Sequence, residues 1–124
     1  MCHIPSSLSI LDIFYCLNNY IDYSSDCLII GKPYGLLAYN TVWNTTNNII
    51  TGYTKNIVWA DSTLGNCVGV ANGISYSNQY KNIFVLLGDG VLQEGTILES
   101  LLAIGLNNKH ILSKIIIVVD YNQY

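Results

Sequence analysis

Positive charge is scarce in this chain of 124 residues. Five basic side chains stand against eight acidic ones, for a net charge of −3, and the cations are scattered. Binding to a phosphate backbone needs grouped lysine and arginine, so nucleic acid is not an expected partner. Cysteine pairs are lacking as well. Cys2, Cys16, Cys27 and Cys67 form no C-x-x-C, and they read as small buried apolar residues in a reducing compartment, not as a disulfide frame or zinc site. No charged stretch leading into an apolar core opens the sequence, and no apolar run is long enough to span a bilayer. A cytoplasmic protein with no membrane contact is therefore expected. Internal repeats and low-complexity tracts are also absent.

What the chain has in quantity is apolar side chains. It is 51% hydrophobic and only 10% charged, which excludes disorder. The length allows one small domain. So apolar a composition calls for a sheet covered on both faces, or for a partner surface.

Ser6-Ser7 followed by Leu8, Leu11, Phe14, Tyr15 and Leu17 reads as an N-capped amphipathic helix. Cys27–Ile30 is a short apolar strand, and a helix is expected to begin at or just after Pro33. Residues 44–58 read as loop, with a strand at Ile57–Trp59. Gly65, Gly69 and Gly73 recur every fourth residue and would form one flat ridge on a helix, suited to close backbone packing. Asn82–Leu87 is a buried strand, a helix follows from about Gln93 to Leu106, and Lys114–Val119 is a second buried strand. On that helix Ile97, Leu98, Leu101, Leu102 and Ile104 form the apolar side. Continuous apolar strands around a helix predict βαβ and an α/β fold: a three-layer parallel sheet with helices on both faces.

Ligands of such sheets bind beyond the carboxyl ends of the strands. Two polar clusters fall there: Gly88-Asp89-Gly90 and Asp120-Tyr121-Asn122. If the strands lie close in the sheet, Asp89 and Asn122 converge. A carboxylate and a carboxamide are hard oxygen donors that suit Mg²⁺ or Ca²⁺, and Mg²⁺ commonly completes its shell with water and phosphate. The glycines around Asp89 allow a diphosphate to approach the backbone. Either triplet alone is a common turn; together, each closing a buried strand, they are not. A dinucleotide fingerprint would need glycine where Gln93 stands, and no Gly-Lys-Ser/Thr of a P-loop is present.

The stretch Gly88-Asp-Gly-Val-Leu-Gln-Glu-Gly95, then Glu99, then Ile117-Val-Val-Asp-Tyr-Asn122 resembles the thiamine diphosphate motif of transketolases. His3-Ile-Pro-Ser-Ser-Leu-Ser9 with Leu11-Asp-Ile-Phe14 is similar to the family's opening histidine motif and first helix. Ser62-Thr63-Leu64-Gly65 with Gly69 and Gly73 is similar to its S-L-G-x-G loop and glycine-lined helix. These ordered matches cover nearly the whole chain. The resemblance implies a partial thiamine diphosphate-binding fold over 1–124. It makes the chain a single, incomplete N-terminal domain of an enzyme that transfers a two-carbon ketol unit between sugars.

By that resemblance Asp89 and Asn122 ligate Mg²⁺, with the backbone carbonyl of Tyr124. Gly90 and Asn122 contact the diphosphate, Ser62, Thr63 and Leu64 contact the cofactor rings, and His3 faces the sugar phosphate as the catalytic histidine. Glu94 and Glu99 match acidic positions at the family's subunit interface, which implies a homo- or hetero-oligomer. Asp120 is not a ligand by the motif and is expected to matter less. Tyr34, expected at the cofactor, stands where the family has a second histidine; it can donate a hydrogen bond but is a far weaker acid than imidazolium near neutral pH. The family's pyrimidine-binding domain, whose glutamate activates the cofactor, has no counterpart here, so a partner domain or subunit is implied. The alternatives are a non-catalytic remnant acting only as an interaction subunit and a Mg²⁺-dependent nucleotide-binding βαβ module.

Overall fold

The computed structural model describes residues 4–32, 35, 38–39, 63–106 and 114–122, and the backbone of 57–60. In chain order the elements are α1 (Ile4–Ser9), α2 (Leu11–Asn18), β1 (Cys27–Ile30), β2 (Ile57–Ala60), α3 (Cys67–Ser75), β3 (Asn82–Gly88), a 3-10 turn (Asp89–Gln93), α4 (Gly95–Leu106) and β4 (Lys114–Asp120). The four strands form one parallel sheet in the order β2-β1-β3-β4.

Strand periodicity builds two cores from one sheet. Side chains alternate across a strand, so Leu28, Ile30, Phe84 and Leu86 join Ile10, Phe14 and Leu17 on one face, with Ile116 and Val118 against them. Cys27, Ile29, Ile83, Val85 and Leu87 join Val68 and Ala71 of α3 and Ile97 of α4 on the other. Each fully buried aliphatic or aromatic side chain contributes roughly 1.5–3 kcal/mol. Phe14 and Tyr39 meet edge to face, with ring centroids 5.9 Å apart and planes at 72°. Gly35 lies under this cluster, where a Cβ would strike the Ile10 side chain. The α/β architecture with helices over both faces of a parallel sheet is thus as expected.

Several local expectations are corrected. The first helix is broken at Ile10, whose φ of −107° and ψ of 0° leave the helical range. Ile10 thereby enters the core, while Leu8 and Tyr15, expected on the apolar side, are exposed. The helix after β3 starts at Gly95 instead of Gln93, because the backbone first makes the 3-10 turn. Of its apolar residues only Ile97 is fully buried; Leu98, Leu101 and Leu102 face outward. Gly65 precedes α3 with a positive φ of 92°, so the glycine ridge is not one helical face. Gly69 approaches α4, where a Cβ would lie 3.2 Å from Ser100 Oγ, and Gly73 has open space. Cys27 and Cys67 are buried as expected, but Cys16 is exposed. The helix expected from Pro33 is described only at Gly35, Ala38 and Tyr39; Cys2 and most of 44–58 lie outside the described residues.

Candidate site at the carboxyl edge of the sheet

The strand order creates a switch point. From β1 the chain moves outward to β2, then returns to the other side of β1 as β3 and continues outward to β4. Crevices at such reversals, beyond the strand carboxyl ends, are where doubly wound sheets bind ligands. Here the flanking strands end in Ile30-Gly31-Lys32 and Gly88-Asp89-Gly90. The Gly31 N–H donates to the Leu86 carbonyl at 2.8 Å. Gly31 is packed so tightly that an added Cβ would stand 2.6 Å from Cys67 Sγ.

The expected convergence of the β3 and β4 ends follows from their pairing. These strands are adjacent and in register from Asn82↔Lys114 to Gly88↔Asp120, so Asp89 and Asn122 follow the last pair by one and two residues at the same edge. Asp89 is half-buried, and its Oδ1 accepts a bond from the Gly90 N–H at 3.0 Å. Gly90 is exposed, with no atom within 4 Å of where a Cβ would be. That clearance leaves its backbone approachable by an anion. Asn122 is half-buried and sends its Nδ2 to Asp120 Oδ2 at 3.5 Å.

The turn after β2 reaches the same edge. Thr63 and Leu64 are exposed, and Thr63 Oγ1 accepts a bond from Asn66 Nδ2 at 3.0 Å. The Gly65 carbonyl accepts from Thr96 Oγ1 at 3.1 Å, and a Cβ on Gly65 would collide with Thr96. The 63–65 turn is thereby clasped to the start of α4, just beyond the Gly88–Gly90 loop. Glu94 and Glu99 are exposed. His3, Tyr34, Ser62 and Tyr124 lie outside the described residues.

Sequence reasoning missed the strongest polar cluster at this edge. Asp120 is only 5% exposed. Lys32 Nζ donates to its Oδ2 at 2.6 Å, and also to Ser9 Oγ at 3.0 Å. Ser9 Oγ in turn lies 2.9 Å from Asp120 Oδ2 and 3.0 Å from the Ser6 carbonyl. The aliphatic stem of Lys32 crosses Gly88, where a Cβ would meet its Cδ at 3.4 Å. A lone lysine two residues past the end of an apolar strand was the available signal. At the opposite edge the buried Asp26 takes both the backbone N–H and the side-chain amide of Asn82, at 3.2 and 2.9 Å, and the Asp22 N–H at 3.1 Å. It closes the amino edge structurally.

Among the described residues no three His, Cys, Asp or Glu gather to hold a metal ion. Any cation beside Asp89 would need amide, carbonyl and ligand oxygens as well. Such oxygen donors suit hard cations, Mg²⁺, Ca²⁺ or Mn²⁺, and not metals that seek sulfur or imidazole. No helix among the described residues is long and apolar enough to cross a membrane. No protein-family model, no curated protein and no solved structure matches the chain.

Proposed function

We propose that this chain anchors Mg²⁺ and the diphosphate of thiamine diphosphate in a transketolase-like enzyme moving a two-carbon ketol unit between sugars. The observation that carries the reading is the register of β3 and β4, which brings the G-D-G and D-x-N triplets to one edge beside the switch point. The residues fit the group in three ways. Asp89 supplies a hard carboxylate and Asn122 a hard carboxamide oxygen, the Gly90 backbone is approachable, and the turn bearing Thr63 and Leu64 is clasped beside it.

In this reading Asp89 and Asn122 hold the cation, with the Tyr124 carbonyl. Gly90 and Asn122 meet the diphosphate, and Ser62, Thr63 and Leu64 border the rings. Tyr34 would stand at the cofactor and His3 would face the sugar. Thiamine diphosphate, when bound, supplies the carbanion chemistry itself; the chain supplies binding and orientation. A pyrimidine-binding domain or subunit would complete the catalytic unit, and Glu94 and Glu99 would lie toward a neighbouring subunit.

Calorimetry of the full chain with thiamine diphosphate and with ATP, each with and without Mg²⁺, tests the reading. Mg²⁺-dependent binding of thiamine diphosphate in preference to ATP is expected. Preference for ATP would favour a nucleotide-binding module, and binding of neither would leave an interaction subunit. Ketol transfer is expected only once a pyrimidine-binding partner is added, and turnover by the chain alone would contradict that division of labour.

A further inference from the structure

We propose that Asp120 is a positioning residue which, held by Lys32 and Ser9, takes the amide nitrogen of Asn122 and so commits the Asn122 carbonyl oxygen to the cation. The inference rests on the functional reading above. Three donors meet on one oxygen, Asp120 Oδ2: Lys32 Nζ at 2.6 Å, Ser9 Oγ at 2.9 Å and Asn122 Nδ2 at 3.5 Å. An ionised carboxylate only accepts hydrogen bonds. The arm of Asn122 beside it must therefore be the NH₂, because an amide oxygen there would meet a second acceptor. A carboxamide has one other arm, its carbonyl oxygen, and that is the hard donor a Mg²⁺ ion takes.

The ion pair is also placed as a strap across the site. Lys32 follows β1 and Asp120 ends β4, and β3 lies between those strands. To reach Asp120 the lysine stem passes over Gly88, the residue before Asp89. One interaction thus ties the end of β4 to the segment after β1, across Gly88. Stability alone accounts poorly for such a pair. Replacing a buried ion pair by apolar residues of similar shape is often neutral or stabilising, whereas orienting ligand side chains is what partners around a metal commonly do.

The test uses the full chain and reads Mg²⁺-dependent thiamine diphosphate affinity by calorimetry, with a thermal melt on every variant. Lys32→Met combined with Asp120→Leu removes both charges together, so no charge is left orphaned and the melt should stay cooperative. Binding should nevertheless weaken about 10–100-fold, the usual cost of losing a ligand's orienting partner. Adding Asn122→Ala to that pair should cost less than about twofold more, because groups acting through one another are non-additive. Should the pair replacement not fold, Lys32→Met with Asp120→Asn keeps the shape of the carboxylate, orphans no charge, removes the charge that fixes the amide's sense, and should weaken binding by about tenfold. Wild-type affinity in either double variant overturns the positioning role alone. So does a full multiplicative loss on adding Asn122→Ala. A wild-type chain that binds no thiamine diphosphate overturns the functional reading and the positioning role together.

Discussion

Lys32 and Asp120 share a 2.6 Å contact with their side chains 14% and 6% exposed. Removing one partner strands the other in a place water barely reaches. Lys32→Met or Asp120→Ala alone should therefore lower unfolding stability by about 3–5 kcal/mol, while the combined apolar replacement should cost far less. Urea titration of the three variants distinguishes a mutually compensating pair from two independent surface charges, which would add and each cost little. The thiols make a second residue-level expectation. Burial, with the Asp26 carboxylate as the lesser cause, pushes the Cys27 thiol from its ordinary 9.0 up to about 12. Burial also raises Cys67, against smaller opposing bonds from the Val68 and Cys67 backbone. A raised thiol value means that the folded chain resists ionising it. The stability this represents is complete below pH 9 and is lost as pH rises toward 12. The thiolate is the reactive form. At pH 8 iodoacetamide should thus label the exposed Cys16 and spare Cys27 and Cys67 until the chain is unfolded. Fast labelling of Cys27 in the native chain would contradict its burial.

Gly65 and Gly73 look alike in the sequence but differ in the fold. Gly65 sits at a φ of 92° with its missing Cβ directed at Thr96, whereas Gly73 lies within α3 with nothing near it. Gly65→Ala should destabilise by at least ~1–2 kcal/mol, from the backbone conformation alone. Gly73→Ala should stabilise by roughly 0.5–1 kcal/mol through helix propensity. Equal effects in thermal melts would restore the single-ridge picture. The contrast shows what could be read beforehand. Strands β1, β3 and β4 were legible because continuous apolar runs admit few other placements, and the parallel sheet followed from the helix between two of them. Spacing alone could not say that the chain turns at Gly65 before α3 begins, since a period of four is compatible with a helix or a turn entering one. Nor could it say that α4 turns Leu98, Leu101 and Leu102 outward. So broad an apolar side hides which stripe meets the sheet, and tertiary packing made that choice. Asp89 and Asn122 were legible as a pair of strand ends. The clasp of Asp120 by Lys32 and Ser9 was not, because it joins three segments up to 111 residues apart.

Across the whole molecule the apolar surface is unevenly hidden. β1 is buried throughout, but Ile115–Val119 of β4 are only half-buried. On α4, Leu98, Leu101, Leu102 and Leu106 line an open apolar groove with Gly105. Exposed apolar patches and uncovered sheet edges favour association. The chain should self-associate in sedimentation, and Leu98→Lys with Leu102→Lys should shift it toward monomer. A stable wild-type monomer would contradict this. At the carboxyl edge of the sheet the chemistry depends on Asp89. If Asp89 supplies the carboxylate to the cation, Asp89→Asn keeps its shape and an oxygen but removes a negative charge. Mg²⁺ gives up its water reluctantly and should be held much less well by a neutral amide. The diphosphate's own charge would then be poorly compensated. If Asp89 only shapes the turn after β3, Asn forms that turn equally well and nothing changes. The deciding measurement is a Mg²⁺ titration of thiamine diphosphate binding to wild type and Asp89→Asn under identical conditions. Mg²⁺ and cofactor affinity should fall together in Asp89→Asn, by about tenfold or more, and equal affinities in the two proteins would contradict the metal site.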